Sequence, residues 1–135
     1  MRSLTVASAA LLALAAGAVT AVPSAALSTD GTPPGEHAVF LTVSGDANTW
    51  IRGVLLSCAP EPSGYHPFAK EACADLDRVG GDFDALPREY RICTKEYAPV
   101  TVGATGTFQG RPVDWRKTYG NACEMEASTG YVFRF

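Results

Sequence analysis

Two histidines, His37 and His66, are all the imidazole in this 135-residue chain. Neither belongs to a motif that would make it a catalytic base. The Gly-x-Ser-x-Gly turn that exposes a nucleophilic serine is missing, so serine hydrolase chemistry has no visible centre. Both histidines are expected as solvent-facing or turn residues. There is no Gly-rich phosphate loop, no basic aromatic patch and no heptad run, which removes the usual routes to nucleotide, nucleic-acid and coiled-coil function. Cationic residues are few, 11 Lys and Arg against 14 Asp and Glu, and that balance argues against nucleic acid or an anionic membrane as partner. Cysteine is scarce as well. No pair has the Cys-x-x-Cys spacing of a zinc or redox centre, so no metal and no cofactor is expected.

The one long apolar run is at the start. Arg2 precedes a small and apolar stretch from Leu11 to Val22, without an acidic residue among the first 26 positions. This composition reads as a secretory signal peptide over residues 1–26, cleaved after the small residues Ser24-Ala25-Ala26, with Ala21 as the second choice. The run is too short and too rich in Ala for a membrane span. Removing it leaves 109 residues (135 − 26), one domain's worth, and changes the net charge from −3 to −4 because only Arg2 is lost. Secretion then gives the four cysteines, Cys58, Cys73, Cys93 and Cys123, an oxidising compartment and implies two disulfides. Of three possible pairings we expect the sequential one, Cys58 with Cys73 and Cys93 with Cys123, since both loops close locally around turn residues. Loop closure assigns them about 3 and about 4 kcal/mol.

Along the remaining chain, Leu27 to Glu36 is Ser-, Thr-, Gly- and Pro-rich and expected to be mobile. His37 to Val43 and Thr49 to Cys58 read as a hairpin around Ser44 to Asn48. Val39, Leu41 and Val43 alternate with Ala38 and Phe40, while Trp50, Val54 and Leu56 alternate with Ile51 and Leu55. Both faces are therefore apolar, which predicts either a fully covered sheet or helices on one side and a partner on the other; of the two we expect a second copy of the chain on the open face. Ala59 to Pro67 reads as a loop and Phe68 to Val79 as a helix stopped by Gly80-Gly81. Asp82 to Ile92 has no regular pattern. Val100 to Thr105 and Val113 to Tyr119 alternate as strands around the turn Gln109 to Pro112, Asn121 to Ala127 reads as a short helix, and Tyr131 to Phe135 as a closing aromatic strand.

Function is concentrated in Cys93-Thr94-Lys95-Glu96-Tyr97-Ala98-Pro99. It is an extended, polar segment beginning at a cysteine and resisting helix at its proline, with a long cation at its crest. Such a segment is bait for a protease. The bland alternative is a charged turn of a secreted, disulfide-stabilised binding module without inhibitory activity. Glu89, Glu96, Glu124 and Glu126 offer carboxylates for glycosidase chemistry, although each has a simpler role as surface charge. The chain is not expected to be an enzyme.

The words Cys58-Ala59-Pro60, His66-Pro67, Ala72-Cys73-Ala74-Asp75-Leu76, Val79-Gly80-Gly81-Asp82, Cys93 to Val100, Phe108-Gln109-Gly110 and Asn121-Ala122-Cys123-Glu124-Met125 occur together. In this layout the chain resembles the Streptomyces subtilisin inhibitor-like family of secreted serine protease inhibitors, over about Val39 to Phe135. The resemblance implies an α+β fold, a five-stranded antiparallel sheet with two helices, sequential disulfides and a homodimer through the sheet. It implies a reactive bond Lys95–Glu96, with Lys95 as P1 and Glu96 as P1′. Support would come from Cys93, Thr94, Tyr97, Pro99, Asn121 and Cys123, with Asn121 bracing the loop by hydrogen bonds. The partners implied are extracellular subtilisin-like and trypsin-like proteases. Three positions depart from the family's habits: Thr94 stands where Pro is common, Glu96 puts a charge beside the scissile bond, and Phe108 stands where Trp is common. The stretch Asp82 to Ile92 differs in composition.

Overall fold

The computed structural model describes residues 37–135. The leader expected over residues 1–26 and the segment Leu27 to Glu36 lie outside the described residues. Five strands form one sheet: β1 (Ala38–Gly45), β2 (Ile51–Ser57), β3 (Ser63–Gly64), β4 (Val100–Phe108) and β5 (Arg111–Tyr119), in the order β3-β2-β1-β4-β5. All neighbours are antiparallel. Among the described residues two helices, α1 (Ala69–Arg78) and α2 (Ala122–Thr129), complete the expected α+β architecture.

The alternation of apolar residues sets which face is covered. Val39 pairs with Leu56, Leu41 with Val54 and with Ala104, and Val43 with Val102, so these side chains share one face by the two-residue period of a strand. That face packs on Ala72, Cys73 and Leu76 of α1, Met125 of α2, and Phe83, Leu86, Val132 and Phe133. Trp115 on β5 stacks between Phe83 and Phe133, with centroids 5.4 and 5.8 Å away. The opposite face keeps Phe40 and Ile51 47 % and 62 % exposed. Among the described residues, only one of the two apolar faces is covered.

Both sequential disulfides are present. Cys58–Cys73 ties the end of β2 to α1, with Cα atoms 5.4 Å apart, and Cys93–Cys123 ties the loop before β4 to α2, at 5.7 Å.

Several expectations are corrected. Tyr131 to Phe135 is not a strand: its backbone bonds are local turns, Val132 N–H to Thr129 O and Arg134 N–H to Tyr131 O, while Tyr131 N–H donates to the buried carboxylate of Asp75 at 2.8 Å. Aromatic and β-branched composition marks burial as much as strand pairing, and here it marked burial of Val132 and Phe133. The fifth strand is instead Ser63–Gly64, inside the segment read as a loop; two residues are too few to show a period. Gly64 sits at φ +104° with Leu55 O where a Cβ would stand, so the close approach of β3 to β2 requires glycine. Two boundaries also move outward. β4 and β5 run to Phe108 and from Arg111, joined by Gln109 and Gly110, both at positive φ as a two-residue hairpin needs. Pro112 is tolerated because β5 is an edge strand. A short 3-10 turn, Phe83–Ala85, interrupts the stretch expected to be irregular.

His66 is a further correction. It is buried, whereas His37 is exposed. Its Nδ1 accepts from Phe68 N–H at 3.0 Å and its Nε2 lies 3.0 Å from Val132 O, so the ring is the neutral Nε2–H tautomer donating to that carbonyl. The imidazole thereby holds the residue that leads into α1 and latches the C-terminal segment. Burial lowers its pKa, against the opposing pull of the Val132 carbonyl and Glu71. A lowered histidine pKa favours the neutral form in the fold. Its stabilising contribution is fully present above the unfolded pKa of about 6.5 and is lost as pH falls from there towards the folded value. The thermal midpoint of the protein should therefore fall between pH 7 and pH 5 more steeply than that of His66→Gln. Parallel curves for the two proteins would exclude the latch as the titrating element.

Candidate functional site

Between the 3-10 turn and β4 the chain runs from Pro87 to Pro99 without regular structure. Thr94, Lys95, Glu96 and Tyr97 are all exposed, and Lys95 enters no ion pair among the described residues. A long exposed stretch of this kind needs outside support to hold one shape, because it has no ladder of its own.

The support comes from the start of α2. Asn121 is buried and extended, the usual conformation of a helix N-cap, and its Oδ1 accepts from Glu124 N–H at 2.9 Å. The same side chain then has two amide hydrogens left, and both go to the loop: Nδ2 donates to Thr94 O at 3.2 Å and to Glu96 O at 3.1 Å. One amide thus grips the carbonyls on either side of Lys95. Glu124 reaches back to Gly120 N–H at 3.2 Å, close to a reciprocal capping box, so the grip is itself fastened. Gly120 O receives Ala98 N–H at 2.9 Å on the far limb, and Cys93–Cys123 bolts the near limb to the first turn of α2. Lys95 is held at the crest by three kinds of bond, with its side chain free.

The structure brings together Cys93, Thr94, Lys95, Glu96, Asn121 and Cys123. Tyr97 points away, 81 % exposed, and touches the site only through its place in the chain. Pro99 is half-buried and enters β4. Cys58 and Cys73 lie elsewhere, between β2 and α1. Three of the four carboxylates considered for catalysis are otherwise engaged, Glu124 at the start of α2 and Glu89 and Glu126 on Arg91, while the fourth, Glu96, is exposed on the loop. Among the described residues no group of three or more His, Cys, Asp and Glu is close enough to hold a metal.

One set of residues was not anticipated. Arg91 donates to Glu126 at 2.6 Å and to Glu89 at 3.4 Å, and Glu89 receives Arg134 at 2.7 Å. The hydrogen bond from Arg134 holds the Glu89 carboxyl below its usual range. Glu89 N–H also bonds Ala127 O at 2.8 Å. The sequence showed no regular pattern over Asp82 to Ile92, and the partners of Glu89, Arg91 and Cys93 on α2 were not legible in it.

Comparison with known proteins bears on the same stretch. The sequence profile described as Subtilisin inhibitor-like matches residues 35–121, 87 of the 135. The chain belongs to this family. It is 45 % identical over 103 residues to Subtilisin inhibitor-like protein 2 of Streptomyces rochei, covering 73 % of this chain and 91 % of that protein. To Trypsin inhibitor STI2 of Streptomyces longisporus it is 43 % identical over 137 aligned positions, covering 94 % and 95 %. Among solved structures it is similar to a chain of Streptomyces caespitosus sermetstatin in complex with Bacillus licheniformis subtilisin, with TM-score 0.59, 33 % identity, and coverage of 73 % of this chain and 97 % of that one.

Proposed function

We propose that this subtilisin inhibitor-like protein is exported and inhibits serine endopeptidases of both subtilisin-like and trypsin-like specificity, with Lys95–Glu96 as the bond presented to the protease. The observation that carries the reading is the double grip of Asn121 on the carbonyls flanking an exposed Lys95. A protease binds an extended strand through its backbone and inserts P1 into S1. A loop already held in that shape loses little entropy on association, and so an interface of about 1,600 Å² reaches tight binding. Lys95 meets the buried Asp of a trypsin-like S1 pocket with its ammonium, and lies along subtilisin's broad cleft with its alkyl stem, the charge near solvent.

The exposed Phe40 and Ile51 support a further part of the reading, a homodimer formed through the uncovered sheet face. The reactive loop sits on α2, which covers the opposite face, so each copy keeps its loop free. Active-site titration of trypsin and of subtilisin should give one enzyme blocked per chain, and sedimentation should give twice the mass of one chain. Failure to inhibit either enzyme would reject the inhibitor assignment; a single-chain mass at micromolar concentration would reject the dimer alone.

A further inference from the structure

We infer that Arg91 is a positioning residue of the inhibitory loop, locking its incoming limb to α2 through Glu126 so that a cut loop stays aligned for resealing. The inference rests on the reading of Lys95–Glu96 as the reactive bond.

The limb from Glu89 to Cys93 alternates in where its side chains go. Tyr90 and Ile92 turn outward, 97 % and 87 % exposed, whereas Glu89, Arg91 and Cys93 turn to the body of the protein, each with an identified partner there. Among the described residues no backbone-to-backbone hydrogen bond joins this limb to another segment between Glu89 N–H and Ala98 N–H. Over that interval the limb is held by side chains: the disulfide at Cys93, the Asn121 amide beyond it, and Arg91 before it. Glu126, Arg91, Glu89 and Arg134 make a row of alternating charges from α2 across the limb to the C-terminal segment, where Arg134 lies over the Tyr131 ring at 4.7 Å. Isolated surface pairs contribute little to stability, but a short, networked arginine pair fixes geometry, and geometry is what resealing needs.

In resealing, the Glu96 amine attacks the Lys95 acyl carbon held as an ester on the protease serine. The C–N bond forms and the ester C–O bond breaks. The amine proton passes through the protease's base to the departing serine oxygen. The rate depends on how closely the amine and the acyl carbon remain aligned, and Arg91 restrains the acyl side. Loss of the restraint favours water over amine.

The test compares Arg91→Gln, Arg91→Lys and Glu126→Gln, alone and as the Arg91→Gln/Glu126→Gln double variant, each incubated with trypsin. Cleavage at Lys95–Glu96 is followed by mass spectrometry, together with association rate and thermal midpoint. Arg91→Gln should raise net hydrolysis about tenfold with little change in association rate and a midpoint within about 4 °C of the parent. Arg91→Lys should restore most of the resistance. Glu126→Gln should match Arg91→Gln, and the double variant should be no worse than either, as one coupled pair requires. Unchanged hydrolysis in Arg91→Gln, an Arg91→Lys no better than Arg91→Gln, or additive losses in the double variant would each overturn the inference while leaving the parent an inhibitor. A parent protein that neither inhibits trypsin nor yields a Lys95–Glu96 product would instead remove the reactive-bond reading beneath it.

Discussion

Lys95→Ala should weaken inhibition of trypsin by about 3 to 5 kcal/mol, two to four orders of magnitude in the dissociation constant, while inhibition of subtilisin changes by about tenfold or less. The asymmetry follows from the pockets. In a trypsin-like enzyme the P1 ammonium meets a buried carboxylate, and truncating one member of a buried charge pair leaves the other without compensation. In subtilisin's cleft the same side chain contributes mainly the contact area of its stem. The substitution should not disturb the fold, because Lys95 is exposed and enters no ion pair among the described residues, and the grip of Asn121 is on carbonyls that any residue supplies. Inhibition constants for both enzymes measure the difference. Equal losses would show that Lys95 is not P1.

Opening the bridge at the loop should have the second large effect, turning inhibitor into substrate. Cys93–Cys123 closes a ring of separation 30 that contains Lys95–Glu96, so after cleavage both new ends stay tethered to α2. Replacing both cysteines by Ser removes the tether and about 4 kcal/mol of loop-closure stabilisation. The crest is then held only by hydrogen bonds and the Arg91 pair, the two from Asn121 contributing about 1 kcal/mol each, and the acyl-enzyme loses its amine. With trypsin at a tenth of a molar equivalent, roughly enough for many turnovers, the bridgeless protein should be cut at Lys95–Glu96 to completion while the parent accumulates little product. The control is Cys58→Ser with Cys73→Ser, which removes about 3 kcal/mol from the clamp between β2 and α1, away from the loop. That variant should remain an inhibitor. If the two double variants were cut equally fast, general loosening would explain the result, and if the parent were cut as fast as the bridgeless form, the tether would have no role.

The parts of this protein that could be read from its sequence were those encoded by short-range periodicity or by residue chemistry. Val39, Leu41 and Val43 alternate because every second residue of a strand points the same way, and all three are in the core. Leu76 falls on the buried side of α1 by the same kind of reasoning at the helical period. Gln109-Gly110 marked a hairpin because few residues accept two successive positive φ angles. Local rules failed where one signal has two causes. Tyr131 to Phe135 has the composition of a strand and of a buried coil alike, and only the presence of Asp75 and Thr129 as hydrogen-bond partners decided between them. His66 in a proline-rich stretch had the setting of a surface turn, yet the C-terminal segment folds over it.

At the site, residue identity alone specifies the chemistry on offer: a lysine two residues after a cysteine, a proline that prevents helix, and four half-cystines to staple the chain. These depend on residue type and near neighbours. The tertiary structure decided what that chemistry is held against. Asn121 meets Thr94 and Glu96 across 27 and 25 residues, and Arg91 meets Glu126 across 35, because the chain must complete the β4–β5 hairpin before α2 arrives beneath the loop. Contacts at such separation are set by the packing of the sheet against its helices, and no local period of the sequence encodes them.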